Sequence, residues 1–333
     1  MTICVNRKLT VDSACAAGCD ILPANADDSP DRDRGRVRTA EFPCRPPLRR
    51  GAPMSVEPDY PDYPDYIADA NEFRARRPAE AIGIRGSVWR IVDTGPVRSG
   101  GSLLLCPGTL GNADIFRKVI EALAPDIRVI SVTYPMIGDF LRIADGAVAL
   151  LDRLGAGRSH VLGSSLGGML TQAIGARHPD RVGHLFVANS IATADAIRAA
   201  GFPSEAEVLG ATGHALKSVV ARSLAQWPEP RPEMAAIKRF LADELAHNFT
   251  GRAFKARLLV LSRIAQIPVA AVPPERLTIL QSGDDQLVAA QVRRGVVARY
   301  PGAHVHTFDW GGHFPYVTRP DAYVGVIRRR LGL

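Results

Sequence analysis

Residues 161–168 read Val-Leu-Gly-Ser-Ser-Leu-Gly-Gly and match the pattern G-x-S-x-G, with Ser165 at its centre. The apolar segment 158–162 has the character of a strand, and 166–178 has the character of a helix. A serine at the tip of such a turn has a strained backbone, so the pattern needs glycines on both sides. The same residues also fit an ordinary tight turn. The order of the predicted elements, strand then turn then helix, favours a nucleophile elbow with Ser165 as the nucleophile.

Two backbone amides are candidate donors to an oxyanion beside this serine. Leu166 N–H is the first free amide of the helix after the elbow. Residues 106–111, Cys-Pro-Gly-Thr-Leu-Gly, follow a predicted strand, and Gly108 lets the backbone approach a substrate. We therefore assign the second donor to Thr109 N–H, with a plain glycine-rich turn as the alternative.

From residue 82 onwards, strand-like and helix-like segments alternate. This alternation predicts an α/β fold, a mostly parallel sheet flanked by helices, in which functional groups gather at the carboxyl ends of the strands. The predicted strands are 87–92 (a first strand or one arm of a hairpin), 102–106, 129–133, 158–162, 184–188, 277–281 and 304–308. The predicted helices are 115–123, 144–154, 166–178 and 322–331.

A serine alcohol is a weak nucleophile until a base takes its proton, and the expected base is a histidine. Of the eight histidines, His313 follows the last predicted strand directly, in Trp-Gly-Gly-His-Phe-Pro at 310–315. A lone histidine is usually structural, but this position near the end of the chain favours catalysis.

The third member of such a site is a carboxylate that orients the imidazole. Residues 283–288, Gly-Asp-Asp-Gln-Leu-Val, follow a predicted strand and offer Asp284 and Asp285. We favour Asp285 because the apolar pair that follows would pack inward and fix the loop, which leaves Asp284 as a turn residue or helix cap. Asp284 stays open as the alternative acid.

The other reactive side chains are better explained without a catalytic or metal-binding role. Cys106 has no activating base at a matching position and is interpreted as a small buried hydrophobe. His304 and His306 share a strand face, but two ligands without a third make a weak metal site. No dinucleotide or phosphate-binding motif occurs, so we expect no cofactor and no metal.

The first part of the chain differs in composition from the rest. Residues 1–66 are rich in proline, arginine and aspartate, repeat Pro-Asp-Tyr, and are predicted to be disordered, with the folded domain at 67–333. Met54 is a second candidate start, which would make residues 1–53 an upstream extension. Four of the five cysteines lie here at spacings that favour neither zinc nor a disulfide framework, namely Cys4, Cys15, Cys19 and Cys44.

Charge and hydropathy limit the partners. The net charge is +7, but the basic residues are scattered without interleaved aromatics, which argues against nucleic-acid binding. No apolar run approaches the length of about 20 residues that a membrane span needs, and Asp12 interrupts the only candidate secretory stretch. We therefore predict a cytoplasmic protein and leave its oligomeric state open.

An insertion at 191–268 separates two predicted strands and contains helical segments at 205–226 and 234–248. We expect it to form a lid over the nucleophile and to select the substrate, because such caps supply pocket walls and exclude water. Its apolar residues would line the pocket or dock the lid on the core; they are Phe202, Leu209, Leu216, Leu224, Trp227, Phe240 and Leu245.

The residues from about 82 to 333 resemble the α/β-hydrolase superfamily, and within it the maspardin-like members. The similar pieces are 105–116, 129–135, the elbow, 187–190 and 311–316. The resemblance implies that members of that group carry asparagine at the position of His313 and act as non-catalytic adaptors. This chain has the histidine, which favours activity. Haloalkane dehalogenases and epoxide hydrolases place aspartate at the elbow, so Ser165 argues against their chemistries.

Three hypotheses about function follow. The first is a serine hydrolase that cleaves a carboxylic ester or thioester of a small acyl substrate through an acyl-enzyme, with Ser165, His313 and Asp285. The second uses the same residues for amide or carbon–carbon bond hydrolysis, for a lyase reaction or for acyl transfer, because fold does not fix substrate. The third is a non-catalytic, maspardin-like binding scaffold.

Overall fold

The computed structural model describes residues 64–333; residues 1–63, with nearly all of the segment predicted to be disordered, lie outside the described residues. The strands are β1 (Glu80–Ile84), β2 (Ser87–Asp93), β3 (Ser102–Cys106), β4 (Arg128–Thr133), β5 (Ser159–Ser164), β6 (Val182–Ala188), β7 (Leu277–Ser282) and β8 (His304–Phe308). The helices are α1 (Tyr66–Arg76), α2 (Arg117–Leu123), α3 (Phe140–Arg153), α4 (Leu166–Arg177), α5 (Ala194–Ala199), α6 (Glu205–Gly210), α7 (Gly213–Ala225), α8 (Pro232–Asp243), α9 (Gly251–Arg263), α10 (Ala290–Arg299), α11 (Pro315–Thr318) and α12 (Pro320–Leu331).

The strands of residues 64–333 form one eight-stranded sheet in the order β1-β2-β4-β3-β5-β6-β7-β8. The pairs β1–β2 and β2–β4 are antiparallel, and every other neighbouring pair is parallel. The segment predicted as a first strand or hairpin arm is β2, and β1 is its hairpin partner. This arrangement confirms the predicted α/β fold with a mostly parallel sheet.

The central strands are buried on both faces, which explains their continuous apolar runs. In β3, Leu103 and Leu105 pack in the cluster that includes α1, α2 and α12, whereas Leu104 and Cys106 pack in the cluster that includes α3 and α4. All five residues of β3 are buried. Two apolar layers therefore hold the sheet between helices.

Helix α1 begins one residue before the predicted start of the domain. Asp65 Oδ1 caps it by accepting from the amides of Ile67 (3.1 Å) and Ala68 (2.9 Å), and Tyr66 is buried. The cap belongs to the repeated Pro-Asp-Tyr segment, whose composition is typical of disorder. The sequence therefore places the boundary at residue 67, slightly late.

The helix predicted at 205–226 is two helices, α6 and α7. Thr212 begins the second helix by accepting from Ala215 N–H, 3.1 Å away, in the manner of a helix cap. A Cβ on Gly213 would lie 2.3 Å from the carbonyl oxygen of Gly251, so the starts of α7 and α9 touch there. The segment predicted at 234–248 is α8 followed by a π-helical turn, Glu244–Asn248.

The parallel strands end at one edge of the sheet, and their loops meet there. These loops are 107–112 after β3, the elbow after β5, 189–193 after β6, 283–289 after β7 and 309–314 after β8. Every residue proposed above for chemistry lies in one of these loops or at the first position of α4.

Candidate active site

Ser165 stands between β5 and α4 with φ 57° and ψ −118°, a left-handed conformation that a non-glycine residue rarely adopts. The backbone is crowded on both sides of it. A Cβ on Gly163 would lie 2.1 Å from Gly167 O, and a Cβ on Gly167 would lie 1.9 Å from Cys106 O. Only glycine fits at these two positions. This explains why the pattern G-x-S-x-G has glycine two residues before and two residues after the serine.

Ser190, which no motif singled out, supports the elbow from β6. Its hydroxyl donates to the carbonyl oxygen of Ser165 at 2.8 Å. A Cβ on Gly168 would lie 2.5 Å from Ser190 Cβ, so α4 starts directly against this residue. The amide of Ser165 donates to Ala188 O at 2.9 Å, which ties the elbow to the end of β6.

His313 and Asp285 form a buried hydrogen-bonded pair at the same sheet edge. His313 Nδ1 lies 2.9 Å from Asp285 Oδ2 and 3.1 Å from Oδ1. His313 is 3% exposed and Asp285 is 6% exposed. An imidazole held at Nδ1 by a carboxylate keeps Nε2 for another partner, which is the arrangement a general base requires.

Burial opposes ionisation of Asp285, but the charge and hydrogen bond of His313 outweigh it, and the pKa of this carboxyl is lower than usual. Asp285 Oδ1 also accepts from the amides of Leu287 and Val288, each at 2.9 Å. Val288 is buried, as the inward-packing argument required. Asp285 is therefore a fixed carboxylate beside the imidazole.

Asp284, the alternative acid, points to different partners. Its Oδ1 accepts from Gly312 N–H at 2.8 Å and its Oδ2 from Gly311 N–H at 3.3 Å. These are the two residues before His313. Asp284 thus holds the loop that carries the histidine and makes no hydrogen bond to the imidazole among residues 64–333.

Asn189 is the main residue that the sequence did not indicate. Its Nδ2 donates to Asp285 Oδ2 at 2.9 Å, and Gly312 O lies 3.4 Å away. Its backbone has φ 42°, and its amide donates to Leu280 O at 2.8 Å. One side chain after β6 therefore connects the carboxylate to the histidine loop. A lone asparagine after a strand carries no sequence signal for this role.

The loop 107–112 lies against the elbow. A Cβ on Gly108 would be 3.1 Å from Ser165 Cβ and 3.7 Å from its Oγ. Gly111 N–H donates to Gly108 O at 3.1 Å and closes a turn. The amides of Thr109 and Leu166 donate none of the turn and cap hydrogen bonds of residues 64–333, so both N–H groups are available.

The hydroxyl of Ser165 makes no hydrogen bond to His313 within the described part of the chain. Bonds of this kind are often long before substrate binds and shorten in the complex. The structure brings His313 and Asp285 together directly, and it connects Ser165 to them through the backbone of Ala188 and Asn189.

The other reactive side chains lie in different surroundings. Burial raises the pKa of the Cys106 thiol to about 12, so it stays protonated. His304 begins β8, at the end of the strand opposite the site, and partial burial and nearby arginines lower its pKa. Residues 64–333 contain no group of three or more His, Cys, Asp or Glu placed to hold a metal ion.

Within residues 64–333, none of the helices combines the length and the apolar character that a membrane crossing requires. The cytoplasmic location derived from the sequence stays a prediction.

Two groups of known proteins are similar in sequence to most of this chain. Maspardin of Homo sapiens is 28% identical over 272 residues, covering 80% of this chain and 84% of the relative. A protein named "Putative carbamate hydrolase RutD" of Caulobacter segnis is 28% identical over 246 residues, covering 68% of this chain and 90% of the relative.

A solved structure and a family model agree with the architecture. The enol-lactonase of Burkholderia xenovorans LB400 superposes with a TM-score of 0.59 at 17% identity, covering 76% of this chain and all of that chain, a likeness that shows the fold alone. The model described as "Alpha/beta hydrolase family" matches residues 103–326, well over half of the sequence. The chain belongs to the alpha/beta hydrolase family.

Proposed function

We propose that the protein is a serine hydrolase that cleaves a carboxylic ester or thioester of a small acyl substrate. The observation that carries this proposal is the buried pair of His313 Nδ1 and Asp285 Oδ2, 2.9 Å apart, in loops next to an elbow serine with φ 57°. Nucleophile, orienting acid and base follow one another in the chain in the order Ser165, Asp285, His313.

In the proposed reaction, Ser165 Oγ attacks the carbonyl carbon and His313 Nε2 accepts the hydroxyl proton. Asp285 fixes the imidazole tautomer and stabilises the imidazolium that forms. The imidazolium then protonates the leaving alcohol or thiol, and an acyl-Ser165 ester remains. Water, activated by the same imidazole, cleaves this ester and releases the acid.

The negative charge on the tetrahedral oxygen needs donors that are in place beforehand. We assign this role to the amides of Thr109 and Leu166. Leu166 follows Ser165 in the chain, and Thr109 follows Gly108, whose contact with Ser165 supports the assignment. The positive end of α4 also faces this point, since Leu166 is its first residue.

We further propose that the insertion 191–268 is the lid of this site. Met234 of α8 supports this proposal, because a Cβ on Gly312 would lie 2.4 Å from its Cε. A helix of the insertion thus packs on the loop that carries His313. Of the apolar residues that the sequence offered for the pocket, Leu216, Leu224, Phe240 and Leu245 are buried, while Phe202 and Leu209 are exposed.

The same residues would serve amide or carbon–carbon bond hydrolysis, a lyase reaction or acyl transfer. The relative named for carbamate hydrolysis is consistent with attack on a carbonyl carbon as the first step. The similarity to maspardin favours the third hypothesis, the non-catalytic binding scaffold that the resemblance implied.

Turnover separates these candidates. Purified wild-type protein and Ser165→Ala are compared on p-nitrophenyl esters, acyl thioesters, aryl carbamates and anilides. The matched control is Ser262→Ala, a half-buried serine of α9 whose hydroxyl donates to Leu259 O. We expect ester or thioester hydrolysis with a burst of alcohol or thiol, lost in Ser165→Ala and kept in the control. Turnover only of the carbamate or anilide would favour the second hypothesis, and no turnover at all would favour the scaffold.

A further inference from the structure

Arg257 extends from α9 of the insertion to the loop 107–112, and its side chain is buried, with 5% of the residue exposed. Its Nη1 donates to three carbonyl oxygens of this loop, those of Gly108 (3.2 Å), Thr109 (3.3 Å) and Gly111 (2.5 Å). Nη2 donates to Asn112 Oδ1 at 3.2 Å. One guanidinium group therefore binds nearly the whole loop.

Aromatic side chains complete the surroundings of this guanidinium group. Its central carbon lies 5.1 Å from the ring centroids of both Tyr134 and Phe249, within cation–π range. The hydroxyl of Tyr134 donates to Pro107 O at 2.7 Å. Tyr134 and Arg257 thus hold successive carbonyl groups of the same loop.

Arg257 is a buried cation without a carboxylate partner among residues 64–333. Burial lowers its pKa to about 10, which still leaves the group protonated at neutral pH. A buried charge without a counter-ion destabilises a fold unless other groups compensate, and here carbonyl dipoles and ring faces surround the charge. The positive charge is therefore held against the loop whose Gly108 lies next to Ser165.

The hydrogen bond to Gly108 O has a geometric consequence. In a planar trans peptide, the carbonyl oxygen and the following N–H point in opposite directions. Arg257 and the amide of Gly111 both bind Gly108 O, so the orientation of this peptide plane is fixed. The N–H of Thr109, which belongs to the same plane, consequently points away from Arg257.

We propose that Arg257 is a positioning residue of the active site, which aims the Thr109 amide at the oxyanion and keeps positive charge behind the loop. This inference rests on the proposed function. In this role the insertion is part of the catalytic machinery, because its helix α9 orients a donor in the loop after β3. This loop and the loop of His313 lie on opposite sides of Ser165, since β3 and β8 lie on opposite sides of β5.

The test compares Arg257→Met and Arg257→Lys with Arg263→Met, a control on the same helix whose arginine pairs with Glu205 at the surface. Circular dichroism and Tm identify the folded variants. The readouts are kcat and KM for a p-nitrophenyl ester and the inhibition constant of phenylboronic acid, which forms a tetrahedral adduct with an active serine.

We expect Arg257→Met to lower kcat and boronate affinity together by about 10²-fold, the effect of losing one oxyanion donor. KM stays within about threefold, because ground-state binding does not use the Thr109 amide. Arg257→Lys recovers part of kcat, since an ammonium group restores the charge but not all the carbonyl contacts. The Arg263→Met control keeps wild-type kcat.

A folded Arg257→Met variant with wild-type kcat and boronate affinity overturns the role of Arg257; if that variant does not fold, wild-type kcat in Arg257→Lys does so instead. Ser165→Ala in the same assay separates this failure from failure of the proposed function. If Ser165→Ala equals wild type, the hydrolase proposal fails and the role of Arg257 fails with it. If Ser165→Ala is inactive while the Arg257 variants are unchanged, only the role of Arg257 fails.

Discussion

Asp284 and Asp285 are adjacent residues in one loop, yet their carboxylates hold different parts of the site. Asp285 binds the imidazole of His313, whereas Asp284 binds the amides of Gly311 and Gly312. The first contact affects the charge of the base, and the second affects only the position of its loop. Substitution of each by asparagine therefore has a different expected result.

We expect Asp285→Asn to lower kcat by about 10³- to 10⁴-fold, because the amide favours the wrong imidazole tautomer and cannot stabilise the imidazolium. Asp284→Asn keeps one acceptor for the glycine amides and should cost less than about tenfold in kcat and about 1 kcal/mol in stability. Ester hydrolysis and thermal unfolding of both variants measure these effects. A larger loss of kcat in Asp284→Asn than in Asp285→Asn would reverse the assignment.

Asn189 acts on the same carboxylate from the other side. Its amide group donates to the ionised form of Asp285, which is one reason that the pKa of this carboxyl is low. Without this donor, the carboxylate becomes more basic and binds His313 N–H more strongly.

Asn189→Gly tests this effect without disturbing the chain, because φ 42° suits glycine. We expect kcat for ester hydrolysis to fall, by less than about tenfold, because the link from Asn189 to the Asp285 carboxylate and to Gly312 O is lost. Asn189→Ala removes the same donor but adds backbone strain of about 1 kcal/mol, which appears in Tm. A folded Asn189→Gly protein with wild-type kcat would show that this donor does not influence the site.

Among the elements, β3, β5 and α4 meet at the elbow with no space for a side chain at Gly167. The α-carbon of this residue lies against Cys106 O at the end of β3. The contact brings the end of β3, and with it the loop 107–112, next to the first turn of α4. The relative placement of the proposed nucleophile and the proposed oxyanion donors thus depends on a backbone contact between two elements.

We expect Gly167→Ala to destabilise the fold by about 3 kcal/mol or more, because the new Cβ overlaps backbone that cannot give way. Gly210→Ala on α6 is the control, since its Cβ would meet no atom within 4 Å. That variant should match the wild type within about 1 kcal/mol. Urea unfolding followed by circular dichroism compares the two, and equal stabilities would contradict the packing described for the elbow.

Strands were easier to predict from the sequence than helices. β3 stands out as a buried apolar run, and β8 as a mostly exposed strand that ends on buried Phe308; the predicted bounds of both agree with the structure. The sequence does not predict helices α1, α5, α9, α10 and α11, and it predicts α6 and α7 as one helix. Arg257 and Gly213 show the reason, because these helices are held by long-range contacts that local periodicity does not record.

On the scale of the whole molecule, the strand order β5-β6-β7-β8 assembles the candidate site from loops far apart in the sequence. Ser165, Asp285 and His313 could be proposed from a motif and from chain order. Asn189 and Arg257 could not be proposed in this way, because neither belongs to a motif and their contacts form only in the folded chain. The sequence therefore predicts the candidate reacting groups, and the structure adds the residues proposed to orient them.

The most direct test of an activated Ser165 is covalent labelling with a fluorophosphonate, followed by intact mass and peptide mapping. We predict one adduct per chain, located on Ser165, absent in Ser165→Ala and formed about 10³-fold more slowly in His313→Asn. An adduct that forms at the wild-type rate in Ser165→Ala, or no adduct on the wild-type protein, would contradict the account.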